Sequence, residues 1–215
     1  MKRFIGLTLI SILLLSSLSG GFCFPIKAKD DLGREIKSLK PPQRIVSLAP
    51  TNTEILFVLE LGQNVVGVTD YCNYPEGAKR KEKIGGFANP NIDKIVALKS
   101  DLILAFGTLQ KPIVQELENK EQKVFWIYPH TVKEVLASFE RIGEITGKVL
   151  AARKLREDVE KRIQDVEQKL GDIPEDKRPT VFRVMGIDPP GTVGGNSFQT
   201  DIYRIAGGRN VFADV

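Results

Sequence analysis

Short apolar runs alternate with stretches of helical periodicity through the first half of the chain. Residues 45–48 form an apolar run between two prolines, which is typical of a buried strand. Apolar positions at helical spacing follow in residues 55–59, and Gly62 is predicted to end that helix. Two more apolar runs, at residues 65–69 and 102–106, are predicted strands. Because strands and helices alternate at short spacing, the pattern predicts a parallel sheet with helices on its faces.

Polar residues mark the expected helix starts. Thr51 stands three residues before Glu54, which is the spacing of a capping box, so we predict that Thr51 is the N-cap of the first helix. Asn91 is the predicted cap of a second helix, and Thr131 is the predicted cap of a third. Two glycines are expected to interrupt or end that third helix: Gly143 and Gly147.

The second half of the chain predicts a long helix followed by a new α/β segment. From residue 148 to 170, apolar side chains recur at three- and four-residue steps: Leu150, Leu155, Val159, Ile163, Val166 and Leu170. About 23 helical residues at 1.5 Å each span roughly 35 Å, enough to connect two lobes. Residues 179–186 then predict a strand, residues 187–197 a loop and residues 198–206 a helix.

The N-terminus has the order of a secretory signal peptide. Basic residues precede an apolar run at residues 4–18, which is short for a membrane span, and small residues follow. We therefore predict cleavage after residue 21 and a periplasmic location. A lipid anchor on Cys23 is the alternative, but a lipobox needs a small residue at the position that Phe22 occupies. A disulfide between Cys23 and Cys72 is possible in an oxidising compartment, and two unpaired thiols are the simpler interpretation.

Composition and motifs exclude several classes of function. The 215 residues are 42% hydrophobic and 27% charged, as in an ordinary globular protein. The formal net charge of +4 falls by two if Lys2 and Arg3 leave with the signal, so nucleic acid is not an expected partner. The common nucleophile, phosphate-loop, dinucleotide and zinc-protease motifs are absent, and His130 is the only histidine. We therefore expect a binding protein without catalytic residues, catalytic cofactor or resident metal.

Residues 44–105 also carry a family resemblance. Three marks follow in order: S-L-A-P before a T-N-T-E helix start, V-G-V-T-D-Y followed by Y-P, and N-I-D-K-I-V-A-L-K-x-D-L-I. Their order and spacing resemble the periplasmic binding proteins for iron complexes and vitamin B12, and most of all the cobalamin-binding receptors. The resemblance implies two parallel-sheet α/β lobes joined by one long backbone helix. It also implies a longer second lobe than residues 179–215 supply, so we expect a truncated second lobe.

The pattern and the resemblance together divide the chain into four parts. The predicted signal peptide covers residues 1–21, and the first α/β lobe covers residues 43–130. Residues 131–178 are the helical linker and backbone helix, and residues 179–215 begin the second α/β lobe.

Aromatic residues stand where the predicted strands end. Tyr71, Phe87 and Phe106 fall just past a strand or beside a helix start, on the carboxyl-end rim where open α/β sheets bind ligands. Flat rings suit a large planar macrocycle because they give contact area at low conformational cost. The resemblance implies that these three residues touch a corrin, and that Met185 contacts it from the second lobe. Two of the three are Phe where the cobalamin receptors have Trp, and ordinary core packing is the alternative role.

The resemblance also implies a membrane partner. In the family, an acidic residue on each lobe docks onto arginines of the permease, and Asp93 matches the position on the first lobe. A carboxylate that stabilises a helix N-terminus is the simpler interpretation of Asp93. Residues 124–128 are a further predicted strand, and His130 follows it, either as an exposed loop residue or as a lone axial ligand to an iron or cobalt centre.

We therefore predict a monomeric solute-binding component of an ABC importer. It would capture a corrinoid such as cobalamin between two lobes and deliver it to the membrane permease. Haem or a ferric siderophore is the alternative ligand; siderophore clefts usually offer basic residues, whereas this rim is aromatic. An inactive remnant or a partner-binding interaction protein is the alternative from a different class.

Overall fold

The computed structural model describes residues 25–215, so the predicted signal peptide and Cys23 lie outside the described residues. An antiparallel hairpin comes first, with strands β1 (Ile26–Lys29) and β2 (Glu35–Ser38). A five-stranded sheet follows, formed by β3 (Ile45–Ser47), β4 (Val65–Val68), β5 (Glu82–Lys83), β6 (Leu102–Phe106) and β7 (Val124–Ile127). The strands lie in the order β5-β4-β3-β6-β7 and every neighbouring pair is parallel, which confirms the predicted parallel sheet.

Helices cover both faces of this sheet. They are α1 (Pro50–Val58), α2 (Glu76–Lys79), α3 (Ile92–Ala97), α4 (Lys111–Asn119) and α5 (Val132–Thr146). Successive strand residues point to opposite faces, so Leu102 and Phe125 pack with α1 and α5, whereas Ile103 and Trp126 pack with α3 and α4. Both faces are apolar, which explains why the strands are continuous hydrophobic runs in the sequence.

The start of α1 differs from the prediction. Ala49 is its N-cap, Pro50 is its first residue, and no side chain caps it, so the capping box of Thr51 and Glu54 is wrong. Proline suits the first helical position because its φ is already helical and its missing N–H needs no partner. The helix also ends at Val58, before the predicted stop at Gly62.

Two other predicted caps are confirmed. The side chain of Asn91 accepts a hydrogen bond from Lys94 N (2.9 Å) at the start of α3. The hydroxyl of Thr131 accepts one from Glu134 N (3.1 Å) at the start of α5. Both are local contacts across three residues, which is why the sequence pattern is enough to predict them.

The hairpin, the five-stranded sheet and helices α1 to α5 together form what we call the sheet domain. The long helix α6 (Val149–Leu170) packs on this domain through α5. Gly147 ends α5 in the left-handed region (φ 74°), as predicted, but Gly143 neither interrupts nor ends it. Instead, Gly143 lies where α5 approaches α6, and a Cβ there would lie 2.3 Å from Ala152 Cβ. On α6, Leu155, Val159 and Ile163 pack on the core as predicted.

The predicted apolar stripe of α6 is wrong at two positions. Leu150 is 80% exposed and Val166 is 41% exposed, because α6 contacts the core through Ala152, Leu155, Val159 and Ile163, and not through these two residues. No helix within residues 25–215 combines the length and the apolar character needed to cross a membrane.

The last segment contains two short strand pairs and one helix. Its elements are β8 (Thr180–Val181), β9 (Gly186–Ile187), β10 (Pro190–Gly191), α7 (Phe198–Ile205) and β11 (Arg209–Asn210). The single strand predicted at residues 179–186 is therefore wrong, whereas the helix after it is confirmed. Within residues 25–215, β8 pairs only with β11, in parallel, and β9 pairs with β10, so no wider sheet there extends the strand. Phe182, Val184 and Ile187 are 56%, 59% and 87% exposed.

The N-terminal hairpin covers the edge of the sheet at β7. Asp30 is buried and accepts hydrogen bonds from Leu32 N and Arg34 N (both 3.0 Å) and from the Arg34 guanidinium. Burial opposes the charge on Arg34, but its bonds to Asp30 and Glu118 raise its pKa overall. Asp31 N donates to Trp126 O (3.1 Å), so the turn of the hairpin shields an otherwise open edge strand.

Candidate functional site

The carboxyl ends of all five parallel strands meet at one edge, which we call the rim. The chain runs from β3 outward to β4 and β5, then crosses back to β6 and β7 on the other side. The loops after β3 and β6 therefore lead to helices on opposite faces of the sheet, and we call the place between these two loops the crevice. In open α/β sheets, ligands bind in such a crevice, at the topological switch point.

Tyr71 lies in the loop after β4, with 64% of its surface exposed. The loop itself is well held. Asp70 N donates to Gly85 O (2.9 Å), and the ammonium of Lys83 donates to Cys72 O (2.8 Å) and Thr69 O (3.3 Å). Tyr71 thus offers an open aromatic face from a fixed backbone.

Cys72, the next residue of this loop, is fully buried and has no disulfide partner within residues 25–215. Its sulfur is 3.2 Å from Thr53 Oγ1 and 3.1 Å from Thr69 Oγ1. These contacts connect the Tyr71 loop to α1. A disulfide with Cys23 stays a prediction, because Cys23 is outside the described residues.

Phe87 and Phe106 are half-buried and flank the crevice from the loop after β5 and the end of β6. The structure connects them through a residue that the sequence analysis missed, Gln110. Its Oε1 accepts from Phe106 N (2.9 Å), and its Nε2 donates to Phe87 O (2.9 Å) and Leu48 O (2.7 Å). Gln110 is completely buried. No sequence signal identifies it, because a glutamine beside a helix start is ordinarily exposed.

An aromatic row runs along β7 and past its end. The Trp126 and Tyr128 rings stack with centroids 5.4 Å apart, and the His130 ring meets Tyr128 edge-on at 4.2 Å. Trp126 Nε1 donates to Gly107 O (3.0 Å), and Glu134 Oε2 accepts from His130 N (2.6 Å). His130 is therefore a half-buried, held residue at the rim. Spacing at every second residue is the sequence signal that was missed for Tyr128.

The structure does not bring Met185 together with the rim aromatics. Met185 lies between β8 and β9, is 58% exposed, and its backbone N–H donates to Gly191 O (2.9 Å). The same segment contains an apolar cavity of about 400 Å³ lined by Phe182, Val184, Ile187 and Phe212, among others.

Asp93 lies in the first turn of α3 with 92% of its side chain exposed, 3.5 Å from Lys120 Nζ. Within residues 25–215, no group of three or more His, Cys, Asp or Glu side chains is placed to hold a metal ion.

The comparisons with known proteins agree with this architecture. A model of the family described as "Periplasmic binding protein" matches residues 45–215. An ABC transporter substrate-binding lipoprotein of Bacillus subtilis is 32% identical over 196 residues, covering 89% of this chain. A vitamin B12-binding protein of Photorhabdus laumondii is 30% identical over 175 residues, covering 80% of this chain. The chain spans 62% of the length of each of these two relatives.

A solved structure has the same fold. The periplasmic vitamin B12-binding protein of Vibrio cholerae matches with a TM-score of 0.70 and 28% identity, over 81% of this chain and 68% of that chain. The match confirms the predicted fold class, a periplasmic binding protein with a parallel-sheet α/β lobe and a long helix.

Proposed function

The chain belongs to the periplasmic binding protein family, and we propose that it is the solute-binding component of an ABC importer. In this role it binds a small molecule in the periplasm, without catalysis and as a monomer, and passes it to the membrane permease. The signal-like N-terminus and the lipoprotein relative support export of the protein. After export it is either free in the periplasm or attached to a membrane by a lipid anchor.

For the ligand, we propose a corrinoid such as cobalamin. The observation that carries this proposal is the aromatic rim: Tyr71 is exposed on a fixed loop, and Phe87 and Phe106 flank the switch-point crevice. Aromatic faces provide large contact area to a flat macrocycle at low entropic cost. The name of the Photorhabdus relative supports the same ligand class. Met185 is proposed to contact the ligand from the opposite side, when the two parts of the chain enclose it.

Haem is the second candidate, because of His130. Its imidazole is half-buried at the rim and held against Tyr128, so an axial bond to a metal at the centre of a macrocycle is within its chemistry. A ferric siderophore has less support, because the exposed rim residue identified above is aromatic and the ammonium of Lys83 is bonded to the carbonyls of Cys72 and Thr69.

We also propose that Asp93 contacts the permease. Its carboxylate is almost fully exposed, and Lys120 is its only ion-pair partner among the described residues. An exposed ion pair of this kind contributes little to stability, so the carboxylate is free to exchange Lys120 for a basic residue of a partner.

Equilibrium dialysis tests the ligand, with cyanocobalamin, haemin and a ferric hydroxamate siderophore offered in parallel. We expect one-to-one uptake of cobalamin, weakened at least about tenfold by Tyr71→Ala, since a stacked ring is worth roughly 1.4 kcal/mol or more. Tyr74→Ala is the matched control, because Tyr74 is 66% exposed and only three residues away. Preferential uptake of haemin that is lost on His130→Ala would favour the second candidate, and uptake of none of the three would refute the proposal.

A further inference from the structure

The hydrogen-bond ladder between β3 and β6 stops one bond early at the crevice. Ser47 is paired with Leu104, and Leu48 N donates to Leu104 O (2.9 Å). In a regular parallel ladder, the next bond would run from Phe106 N to Leu48 O. Instead, the carboxamide of Gln110 lies between these two groups: Oε1 accepts from Phe106 N (2.9 Å) and Nε2 donates to Leu48 O (2.7 Å). A side-chain amide thus replaces one backbone bond at the point where the strands separate.

The same amide also reaches the third loop of the rim. Nε2 carries two hydrogens, and the second is donated to Phe87 O (2.9 Å). All three contacts fix the orientation of the amide, because turning it over would place its NH₂ against Phe106 N–H and its oxygen against two carbonyls. Gln110 is completely buried, so water cannot bond to these three backbone groups in place of the amide.

We propose that Gln110 is the positioning residue of the ligand site. It holds β3 and β6 apart by the width of an amide at the switch point, which keeps the crevice open. It also fixes the backbones of Phe87 and Phe106 relative to each other, so the two rings form one surface. The inference rests on the proposed function in that this surface is where the ligand binds. Gln110 itself is buried and acts only through the residues that it holds.

Two substitutions test the hydrogen bonds of the Gln110 amide separately from the volume of its side chain. Gln110→Met has a similar length and shape but satisfies none of the three backbone groups. The strands are then expected to close, with Phe106 N bonding directly to Leu48 O, and Phe87 is expected to move. Gln110→Glu retains the acceptor for Phe106 N but places a carboxylate against the carbonyls of Leu48 and Phe87. Protonation gives this carboxyl one donor, so its effect should lessen at low pH.

A matched control is available in α5. Thr146 is 1% exposed, and its hydroxyl donates to Ile142 O (2.6 Å) within the same helix. Thr146→Val also removes a buried hydrogen bond at nearly constant volume, but the hydroxyl bonds only to carbonyls of α5 and not to the rim. A loss of ligand affinity that merely follows reduced stability would therefore be shared by Thr146→Val.

The test combines affinity with crystal structures of the ligand-free variants. We expect cobalamin affinity to fall at least about tenfold in Gln110→Met, to fall in Gln110→Glu with partial recovery between pH 8 and pH 5, and to stay unchanged in Thr146→Val. In the crystals, both Phe87 and Phe106 should shift in Gln110→Met, Phe87 should shift in Gln110→Glu, and neither ring should shift in Thr146→Val. Wild-type uptake with equal uptake by Gln110→Met would overturn the inference and leave the proposed function standing. If the wild type takes up no ligand, the proposed function fails, and the crystals alone decide: unmoved rings in Gln110→Met would refute positioning by Gln110.

Discussion

Replacing Gly143 by alanine tests how closely α5 and α6 are packed. An alanine Cβ at this position would lie 2.3 Å from the Cβ of Ala152 and 3.1 Å from the carbonyl oxygen of Lys148. Real Cβ atoms do not approach to 2.3 Å, so the two helices must move apart. Neither contacted group can rotate out of the way, because one is a methyl on Cα and the other is backbone.

The magnitude follows from two opposing effects. In an exposed helix, Gly→Ala is favourable by about 1 kcal/mol because alanine loses less backbone entropy. Overpacking a close contact costs typically about 1–3 kcal/mol. The rigidity of both contacts favours the upper part of this range. Lys148 N also donates to Gly143 O (2.7 Å), which limits how far the turn can relax. We expect a net destabilisation of about 1–2 kcal/mol.

Urea denaturation followed by circular dichroism measures this difference. Ala152→Gly is the partner substitution, and the double variant removes the clash while it keeps the added methyl at position 143. We therefore expect a favourable coupling of about 1 kcal/mol or more in the double-mutant cycle. A Gly143→Ala protein that is more stable than the wild type, or a cycle with no coupling, would refute the reasoning.

Three further predictions concern the sheet domain and are measured by the same unfolding assay. Asn91→Ala removes the side-chain bond to Lys94 N and should cost about 1 kcal/mol, whereas Asn91→Asp should cost little; equal losses would contradict the capping role. Phe125→Ala empties a fully buried position between β7 and the helices and should cost about 3–5 kcal/mol, with Phe125→Leu clearly less; a cost under 1 kcal/mol for alanine would contradict the packing described. Asp30→Asn removes the buried one of the two carboxylates that pair with the partly buried Arg34, and should cost about 2–3 kcal/mol. The exposed Glu35→Gln should change stability little, and similar effects of the two would show that burial of Asp30 is unimportant.

Local patterns predicted most of the sheet domain correctly. The strands were evident because a sheet covered on both faces needs consecutive apolar residues, as at residues 102–106. The caps at Asn91 and Thr131 were evident because each contact spans only three residues. The cap predicted at Thr51 failed because the preceding Pro50 is itself a favourable first residue, so the helix starts two positions earlier, with Ala49 as its N-cap.

Other errors arose where packing overrides local preference. Gly143 suggested a helix end, since glycine is a poor helix former, but α5 continues because the small residue permits the approach of α6. The apolar run at residues 179–186 suggested one strand, yet a strand forms only where another strand pairs with it, and β8 has a single neighbour of two residues.

The candidate site also combines features that local sequence patterns predict with features that arise only from packing. Local patterns located the strand before Tyr71 and the strand that Phe106 ends, and therefore placed both residues at one edge of a parallel sheet. The two-residue strand before Phe87, β5, was not predicted. Tertiary structure alone decided how these residues are held. Gln110 bonds to groups 4, 23 and 62 positions away, which become neighbours only when the chain crosses from β5 back to β6. A buried amide needs hydrogen-bond partners, and here the partners are backbone groups that have no ladder bond. These groups come together only in the folded chain, so no local sequence pattern predicts which side chain bonds to them.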